Sequence, residues 1–378
     1  MNSHALAYMM KSAILEPYCA LAFLDGYDVL GRNLQSALLD TLLMSSHTYA
    51  HDKGSVLDRF MTKLFGSFVT IFTIHRPTPI SGAYNGLDEK LLEKCLGYAK
   101  DRGYQFLSID QIVADAAQGV QYKQPTICFT LDDGYSDQAN RLLPLLLAER
   151  ASPTLFVITD FIDQQLWPWD AKLTYLIWNT PLQSLHLVIG AQTLLFDLSS
   201  TNKRVAARRE AIQAVKLLDP SLHAATILNI AKACQVSIPE LPPIEFEPVS
   251  WQVLRGLETQ GLRVGSHSQS HLIFNSATEA TISSELEYSK QRLSAELKNP
   301  SSVFCYPLGT RKDFSVNHIE LVKAAGFNSA ISTISNVTTL RSIQQSPFQI
   351  QRIAFPSTFE KFVRYTSWKE ALRSKLPF

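Results

Sequence analysis

The sequence predicts an α/β protein built on a distorted or incomplete (β/α)7-type barrel. Short apolar runs rich in β-branched residues, each long enough for one buried strand, recur along the chain. Segments with apolar residues at helical spacing follow most of these runs, and this alternation is typical of βαβ units with a parallel sheet. About seven such steps can be counted, which favours a barrel over an open doubly wound sheet.

The first half of the predicted barrel begins where helical spacing gives way to the compact run FVTIFTI. The predicted elements are a strand at Phe68–Ile74, a helix at Leu87–Arg102, a short strand-to-helix step in QFLSIDQIV, a strand at Thr126–Leu131, a helix through Leu142 to Glu149, and a strand at Thr154–Thr159. Gly103 is placed to end the first of these helices. These elements account for the first βαβ steps.

The alternation resumes after a gap and continues almost to the end of the chain. The predicted elements are a helix at Trp251–Gln260, a strand at Leu262–Gly265, a helix at Thr278–Leu297, a strand at Val303–Tyr306, a helix near His318–Ala325, strands at Ser329–Thr333 and Ile350–Phe355, and a C-terminal helix. The chain therefore divides into a helical N-terminal extension over residues 1–66 and a barrel domain over residues 67–378. An insertion at about residues 161–249 is predicted to be mostly helical, with a basic helix near Lys203–Lys216.

Composition restricts the class of protein and its partners. The 378 residues are 46% hydrophobic and 18% charged, which is typical of a folded globular chain. Because 35 Lys and Arg balance 34 Asp and Glu, we expect no nucleic acid or anionic membrane as main partner. No uncharged apolar run of ~18 residues predicts a membrane span, and the N-terminus is a poor signal peptide, so the expected location is cytoplasmic. The scattered cysteines fit free buried thiols, and the oligomeric state is left open.

Polar residues with metal-binding or catalytic chemistry follow several predicted strands. They are Asp132 and Asp133 after TICFTL, His267 and His271 after LRVG, Pro307–Gly309 after VFCY, and His75 after FVTIFTI. In α/β barrels the C-terminal ends of the strands converge on one face. Imidazole nitrogens and a carboxylate oxygen form a suitable ligand set for zinc, and three protein ligands leave one position open. The spacing of His267 and His271 would let both rings reach one ion if a helical turn began there.

Each of these patterns also has an ordinary structural explanation. The two histidines could be surface or capping residues, and the aspartate pair could cap the following helix. His75 could merely bond loop backbone before Pro77. The individual motifs are therefore weak, and the prediction depends on their combination.

Taken together, the motifs resemble the polysaccharide deacetylase family, that is, the NodB-homology domain of carbohydrate esterase family 4. FTLDDGY (Phe129–Tyr135) is similar to the first family motif, SHSQSH (Ser266–His271) to the second, and CYPLG (Cys305–Gly309) to the third. The resemblance covers roughly Phe68–Pro356. It implies a distorted (β/α) barrel that removes acetyl groups from sugars with a divalent metal ion, most simply Zn2+, with Co2+ or Ni2+ as alternatives.

The resemblance also implies roles for individual residues. Asp132 would be the general base, and the metal ligands would be Asp133, His267 and His271. The expected reaction is attack of metal-bound water on the acetyl group of an N-acetylated sugar in a polysaccharide or glycan intermediate. The third motif, Tyr306, Pro307, Leu308 and Gly309, would contact substrate, with the Leu308 N–H most suited to the oxyanion. An O-acetyl carbohydrate esterase and a catalytically impaired carbohydrate-binding pseudoenzyme are the alternative functions.

The chain departs from the family pattern at three places. Cys305 stands where the third motif has an arginine that partners the base, so Arg352 is a candidate replacement, although it could equally be a solvated residue at a strand end. Leu308 replaces the usual aromatic residue. No copy of the late Leu-x-His motif is found, and His318 is interpreted as a surface residue, so His75 is predicted to orient Asp132 or to act as the general acid. In the insertion, Trp167, Trp169 and Trp178 are candidates for stacking on sugar rings.

Overall fold

A computed structural model describes residues 67–367 and residue 370. The predicted N-terminal helical extension over residues 1–66 lies outside the described residues. The strands are β1 (Phe68–Ile74), β2 (Gln105–Phe106), β3 (Thr126–Asp133), β4 (Thr154–Val157), β5 (Ser184–Ile189), β6 (Gln192–Asp197), β7 (Arg263–Ser266), β8 (Val303–Cys305), β9 (Ser329–Ser335), β10 (Thr338–Thr339) and β11 (Ile350–Ala354).

The described helices alternate with these strands. They are α1 (Glu89–Asp101), α2 (Ile109–Ala117), α3 (Leu143–Ala148), α4 (Thr159–Ile162), α5 (Trp169–Asn179), α6 (Thr201–Lys216), α7 (His223–Cys234), α8 (Trp251–Glu258), α9 (Glu279–Glu296), α10 (Val316–Ala324), α11 (Leu340–Gln345) and α12 (Phe359–Tyr365). A π-helical turn at Gln138–Leu142 precedes α3. None of the helices in the described ranges is long and apolar enough to cross a membrane.

Seven parallel strands close into the predicted barrel. The order is β1, β3, β4, β7, β8, β9 and β11, and β11 returns to pair with β1. Strands of a parallel barrel are covered on both faces, which explains why they read as continuous apolar runs instead of alternating ones. All residues of β1 are buried, and it pairs with β3 from Val69 opposite Thr126 to Ile74 opposite Leu131.

The outer helices are amphipathic and bury one face against the strands. In α1 the buried side chains are Leu92, Cys95, Leu96 and Ala99, which recur at the spacing of one helix face. Asp88 begins this helix as its N-cap, because its side chain accepts a hydrogen bond from the Lys90 N–H at 3.0 Å. Burying a side chain such as Leu92 contributes roughly 1.5–3 kcal/mol. Packing of this kind holds the strand ends in fixed positions.

The insertion forms its own apolar core and contains a hairpin that the helical interpretation missed. Helices α5, α6 and α7 pack around β5 and β6, which pair antiparallel from Ser184 opposite Asp197 to Ile189 opposite Gln192. In β5 every second residue is buried in this core, namely Leu185, Leu187 and Ile189, and the alternate residues are exposed. The predicted basic helix is present as α6. The insertion is thus a mixed helix and hairpin unit.

Two further short elements near the C-terminal part of the barrel were not predicted. Strand β10 pairs antiparallel with the start of β1, with Phe68 opposite Thr339. Helix α11 follows at once, and Thr339 caps it by accepting a hydrogen bond from the Ser342 N–H at 3.1 Å. Neither element carries a candidate site residue.

Candidate metal centre and active site

The site lies where β3, β4 and β7 end next to one another. Strand β3 continues two residues beyond its predicted end, so Asp132 and Asp133 are paired with Phe156 and Val157 of β4. The carbonyl of Val157 in turn accepts a hydrogen bond from the His267 N–H at 2.9 Å. This register places the first and second motifs on either side of one strand, as their strand-end positions predicted.

Asp133, His267 and His271 converge on a common point. The Asp133 Oδ1 atom lies 3.8 Å from His267 Nε2 and 3.9 Å from His271 Nε2. All three ligand atoms lie within 4.8 Å of one another, which suits one tetrahedral ion with an open position. Burial raises the pKa of Asp133, while His271 and His75 oppose that rise. The donor set therefore fits a divalent metal ion.

The ring of His267 is prepared for metal binding by its other nitrogen. Nδ1 donates a hydrogen bond to the Cys305 carbonyl at 2.9 Å, which leaves the Nε2 lone pair free for a metal. Burial lowers the pKa of His267 to about 3, although the negative charge of Asp132 opposes this shift. His267 is therefore neutral near pH ~7, as a metal ligand must be.

The second motif does not form the helical turn that the His-x-x-x-His spacing suggested. Ser268 and His271 both have left-handed backbone conformations, with φ of 66° and 64°, and the loop between the histidines is irregular. Glu285 of α9 accepts hydrogen bonds from the N–H groups of Gln269 at 3.0 Å and Ser270 at 2.9 Å. The two rings meet because this loop is held from α9, not because they share a helix face.

Asp132 forms a buried two-point ion pair with Arg352. The Nη1 and Nη2 atoms of Arg352 donate to Oδ1 and Oδ2 of Asp132, each at 2.8 Å, and both side chains are almost fully buried. Further bonds to Thr130 Oγ1 at 2.9 Å and the Ser332 carbonyl at 3.0 Å fix the guanidinium. Arg352 is therefore not the solvated strand-end residue of the alternative interpretation. Its guanidinium makes the kind of contact with Asp132 that the resemblance assigns to the arginine replaced by Cys305.

This ion pair keeps Asp132 ionised. Burial alone would raise the pKa of Asp132, but the positive charge of Arg352 and the hydrogen bonds that it donates hold that pKa well below its usual range. Cys305 lies beside the pair, with Sγ 3.3 Å from Arg352 Nη2 and 3.6 Å from Asp132 Oδ1. Asp132, His267 and Cys305 also lie close enough to share an ion. That set is a poorer site, because Arg352 already binds both oxygens of Asp132 and burial raises the pKa of the Cys305 thiol.

Gln138 fixes the first motif and was missed by the sequence interpretation. Its Oε1 accepts hydrogen bonds from the N–H groups of Gly134 at 3.1 Å and Tyr135 at 2.8 Å. Its Nε2 donates to the carbonyl of Asp132 at 2.6 Å and to the carbonyl of His75. The fully buried amide thus connects the ends of β1 and β3. Nothing in the sequence around Gln138 distinguishes it from an ordinary residue at the start of a helix.

The third motif forms a tight loop after β8. Leu308 and Gly309 both have left-handed conformations, with φ of 57° and 64°. Thr333 of β9 holds the loop, because its N–H donates to the Gly309 carbonyl at 3.0 Å and its hydroxyl donates to the Leu308 carbonyl. Pro307 is buried and Leu308 is half-buried. Tyr306 lies in the core, stacked on Phe314 with ring centroids 3.9 Å apart, so its ring has no surface for substrate.

The remaining candidates divide between the site and the core. His75 is exposed at the end of β1, and its charge would lower the pKa of both Asp132 and Asp133. Trp167 is only 5% exposed and packs against Tyr175 and Phe246, which is the placement of a core residue.

Three further residues of the sequence interpretation make no hydrogen bond or ring contact with the metal ligands within the described part of the chain. Trp169 packs on His223 in the insertion, with ring centroids 4.9 Å apart, and Trp178 is half-buried in α5. His318 is half-buried at the start of α10, where its Nδ1 accepts a hydrogen bond from the Ser315 N–H at 3.2 Å. Its position is that of a helix-capping residue, so it is less exposed than predicted.

Comparison with known proteins agrees with the sequence motifs. The sequence model of the polysaccharide deacetylase family matches residues 119–330, which is over half of the chain. No curated protein sequence matches. The deacetylase PplD of Streptococcus pyogenes, solved in complex with acetate, is 13% identical with a TM-score of 0.51, and the match covers 79% of this chain and 98% of that one.

A second solved structure gives the same result for the fold. IcaB from Ammonifex degensii is 14% identical with a TM-score of 0.50, over 81% of this chain and 98% of that one. At these identities the two structures support the fold alone, and the family assignment depends on the motif-bearing segment. Because the family model covers more than half of the chain and spans all three motifs, this chain belongs to the polysaccharide deacetylase family and is a carbohydrate deacetylase.

Proposed function

We propose that the protein hydrolyses the acetyl group of an N-acetylated sugar, within a polysaccharide or a glycan intermediate, with one divalent metal ion held by Asp133, His267 and His271. The main support for this proposal is that the three ligand atoms lie within 4.8 Å of one another, beside the ionised carboxylate of Asp132. When bound, the ion supplies Lewis-acid polarisation of the acetyl carbonyl and acidifies a water molecule. Zn2+ is the first candidate, with Co2+ or Ni2+ as alternatives.

Asp132 would accept the proton of the attacking water. A general base must be ionised and must be held in one orientation, and the two-point pairing with Arg352 supports both conditions. This pairing also favours a working hydrolase over the carbohydrate-binding pseudoenzyme. The main argument for a pseudoenzyme was the loss of the third-motif arginine, and Arg352 supplies a guanidinium from β11 instead.

The Leu308 N–H would stabilise the oxyanion that forms on the acetyl oxygen. Within the described part of the chain this N–H is not paired with an acceptor, whereas the Leu308 carbonyl is held by the Thr333 hydroxyl. Fixing the carbonyl side of the peptide restricts the loop that carries the N–H. A preorganised donor of this kind stabilises the transition state without the cost of reorienting at the moment of reaction.

His75 would donate a proton to the leaving amine. It is exposed at the end of β1, within electrostatic range of both aspartates, and an imidazole can protonate an amine near neutral pH. The metal-binding side chains are occupied with the ion, and Asp132 receives the proton of water. This assignment gives a proton donor to a chain in which no late Leu-x-His motif is found.

The test measures acetate release from N-acetylated and O-acetylated sugars with the wild-type protein. Chelated protein should be inactive, and activity should return with Zn2+, Co2+ or Ni2+. Release from N-acetylated sugars is the expected result, while release from O-acetylated sugars alone would establish the esterase alternative. Full activity that survives complete metal removal would overturn the proposal.

A further inference from the structure

The insertion brings two charged side chains, Asp170 and Arg208, next to the first catalytic motif. Ala171, which follows Asp170 at the start of α5, is buried in the same apolar cluster as Tyr135, the residue that closes the motif FTLDDGY. The first turn of α5 therefore packs against the loop that carries the aspartate pair. Neither Asp170 nor Arg208 has a role in the proposed hydrolysis.

Arg208 extends from α6 toward the same place. Its Nε donates to the Thr174 hydroxyl at 2.7 Å, and that hydroxyl donates to the Asp170 carbonyl at 2.7 Å. The Arg208 Cζ atom lies 5.5 Å from the centroid of the Tyr84 ring, on which Arg76 also packs at 4.6 Å. The insertion residues are thus joined to the barrel residues that surround the motif.

The carboxylate of Asp170 and the guanidinium of Arg208 are not held in ion pairs, unlike the neighbouring Arg76. Within residues 67–367, neither the terminal nitrogens of Arg208 nor the carboxylate of Asp170 makes a hydrogen bond or an ion pair, although both side chains are half-buried. Arg76, in contrast, pairs with Asp137 at 2.7 Å. Burial lowers the pKa of Arg208, and the charge of Asp170 opposes this shift. Asp170 and Arg208 are therefore within electrostatic range of each other, at the place where the first turn of α5 packs against the first motif.

Among the described residues, the buried side-chain atoms without a partner do not include those of Asp170 or Arg208, so both charged groups remain open to water, which the polar groups of a ligand can replace. We propose that Asp170 and Arg208 form a sugar subsite beside the metal centre, where the carboxylate accepts hydroxyl protons and the guanidinium donates to a ring, hydroxyl or acetamido oxygen. The proposal rests on the function proposed above and specifies its substrate. The two charges offset each other, and Asp137 offsets Arg76, so the subsite suits a neutral hexosamine chain over an anionic glycan.

The test compares Asp170→Asn and Arg208→Gln with the exposed neighbours Glu210→Gln and Arg209→Gln as matched controls. The probes are a panel of neutral N-acetylated hexosamine oligosaccharides and nitrophenyl acetate, an acetate ester without a sugar. For the oligosaccharides, each subsite variant should lose roughly 10- to 100-fold in kcat/KM, mainly through KM, as expected for a hydrogen bond to a charged group. Turnover of nitrophenyl acetate, metal content and thermal unfolding should match wild type, and the controls should behave as wild type throughout.

The outcomes separate the subsite from the proposed function. Equal losses on oligosaccharide and nitrophenyl acetate, or no loss on either, would overturn the subsite. Calorimetric titration with the same oligosaccharides gives a second readout, because binding to wild type that weakens in both variants supports the subsite even without acetate release. Binding without acetate release contradicts only the proposed hydrolysis. The subsite is overturned if the wild-type protein binds no neutral oligosaccharide or prefers a uronate-containing one.

Discussion

Replacing Arg352 with Gln should destabilise the fold and impair catalysis for one reason, the loss of the counterion of Asp132. Both side chains of the pair are buried, at 0% and 3% exposure, so solvent does not screen their interaction. Breaking such a pair leaves a buried carboxylate without compensation and costs about 3–5 kcal/mol. Chemical denaturation of chelated wild type and Arg352→Gln at pH ~7 measures this difference in the free energy of unfolding.

The pH dependence of this loss has a definite sign. In the wild type the folded pKa of Asp132 is depressed, so the pair stabilises the fold above the unfolded value near ~3.9 and loses that effect as the pH falls through the folded pKa. In Arg352→Gln burial should raise the pKa, so the buried charge can be removed by protonation in mild acid. The difference between the two proteins should therefore be larger near pH ~7 than near pH ~4.5. A difference below about 1 kcal/mol that does not change with pH would show that Arg352 does not stabilise the fold as the counterion of Asp132.

Two further variants control the interpretation. Arg255→Gln removes an exposed arginine paired with Glu296, so it is a control for the loss of an ion pair at the surface. It should lower the free energy of unfolding by at most ~1 kcal/mol. In Arg352→Gln, acetate release should fall about 10²-fold or more, because the base is no longer oriented. Adding Cys305→Arg to an Arg352→Ala background restores a guanidinium from β8, and Cys305 Sγ lies 3.6 Å from the carboxylate of Asp132. Part of the activity should return, whereas no recovery would mean that the cation is needed on β11.

Three other predictions concern the base, the acid and the packing behind the site. Asp132→Asn should keep its metal and lose ~10²–10⁴-fold in kcat, and loss of the metal instead would reverse the roles of the two aspartates. His75→Gln should lower kcat and shift one limb of the pH–rate profile, while an unchanged profile would leave His75 a structural role. Asp163→Asn should lower the free energy of unfolding by about 1–3 kcal/mol above pH ~5, because Asp163 accepts hydrogen bonds from Arg292 at 2.8 Å and Trp251 at 2.7 Å. Burial opposes ionisation of Asp163, but these hydrogen bonds lower its pKa. The loss of unfolding free energy in Asp163→Asn should therefore be smaller in acid, as measured by chemical denaturation. A loss that is constant with pH would show that the ionised carboxylate is not what these bonds stabilise.

The barrel and the centre of the site could be predicted from the sequence because their signals are local. Buried parallel strands read as apolar runs, and residues after such runs meet on one face whatever their separation in the chain. This placed Asp132, Asp133, His267 and His271 together. The resemblance to the deacetylase motifs then made Arg352 a candidate partner for Asp132, but burial decided between that role and a solvated one, and burial depends on the closed barrel.

What the sequence did not predict depends on packing between distant segments. The hairpin of β5 and β6 had a usable signal, since apolar residues alternate in SLHLVI and Gly190 takes a φ of 59° in the turn, but the surrounding helical spacing obscured it. Gln138 and Glu285 hold motif loops from helices, and only the fold brings them there. Trp167 was a candidate for sugar contact because of its residue type, yet its neighbours place it in the core.

The metal content of purified protein is the sharpest test of the three proposed metal ligands. Elemental analysis of wild type and of the His267→Ala, His271→Ala double variant, each loaded with Zn2+ and freed of excess, gives the number of ions per chain. We expect one ion per chain in the wild type and almost none in the double variant, with both proteins folded by circular dichroism. Equal metal content in the two proteins would contradict the assignment of Asp133, His267 and His271 as the ligands.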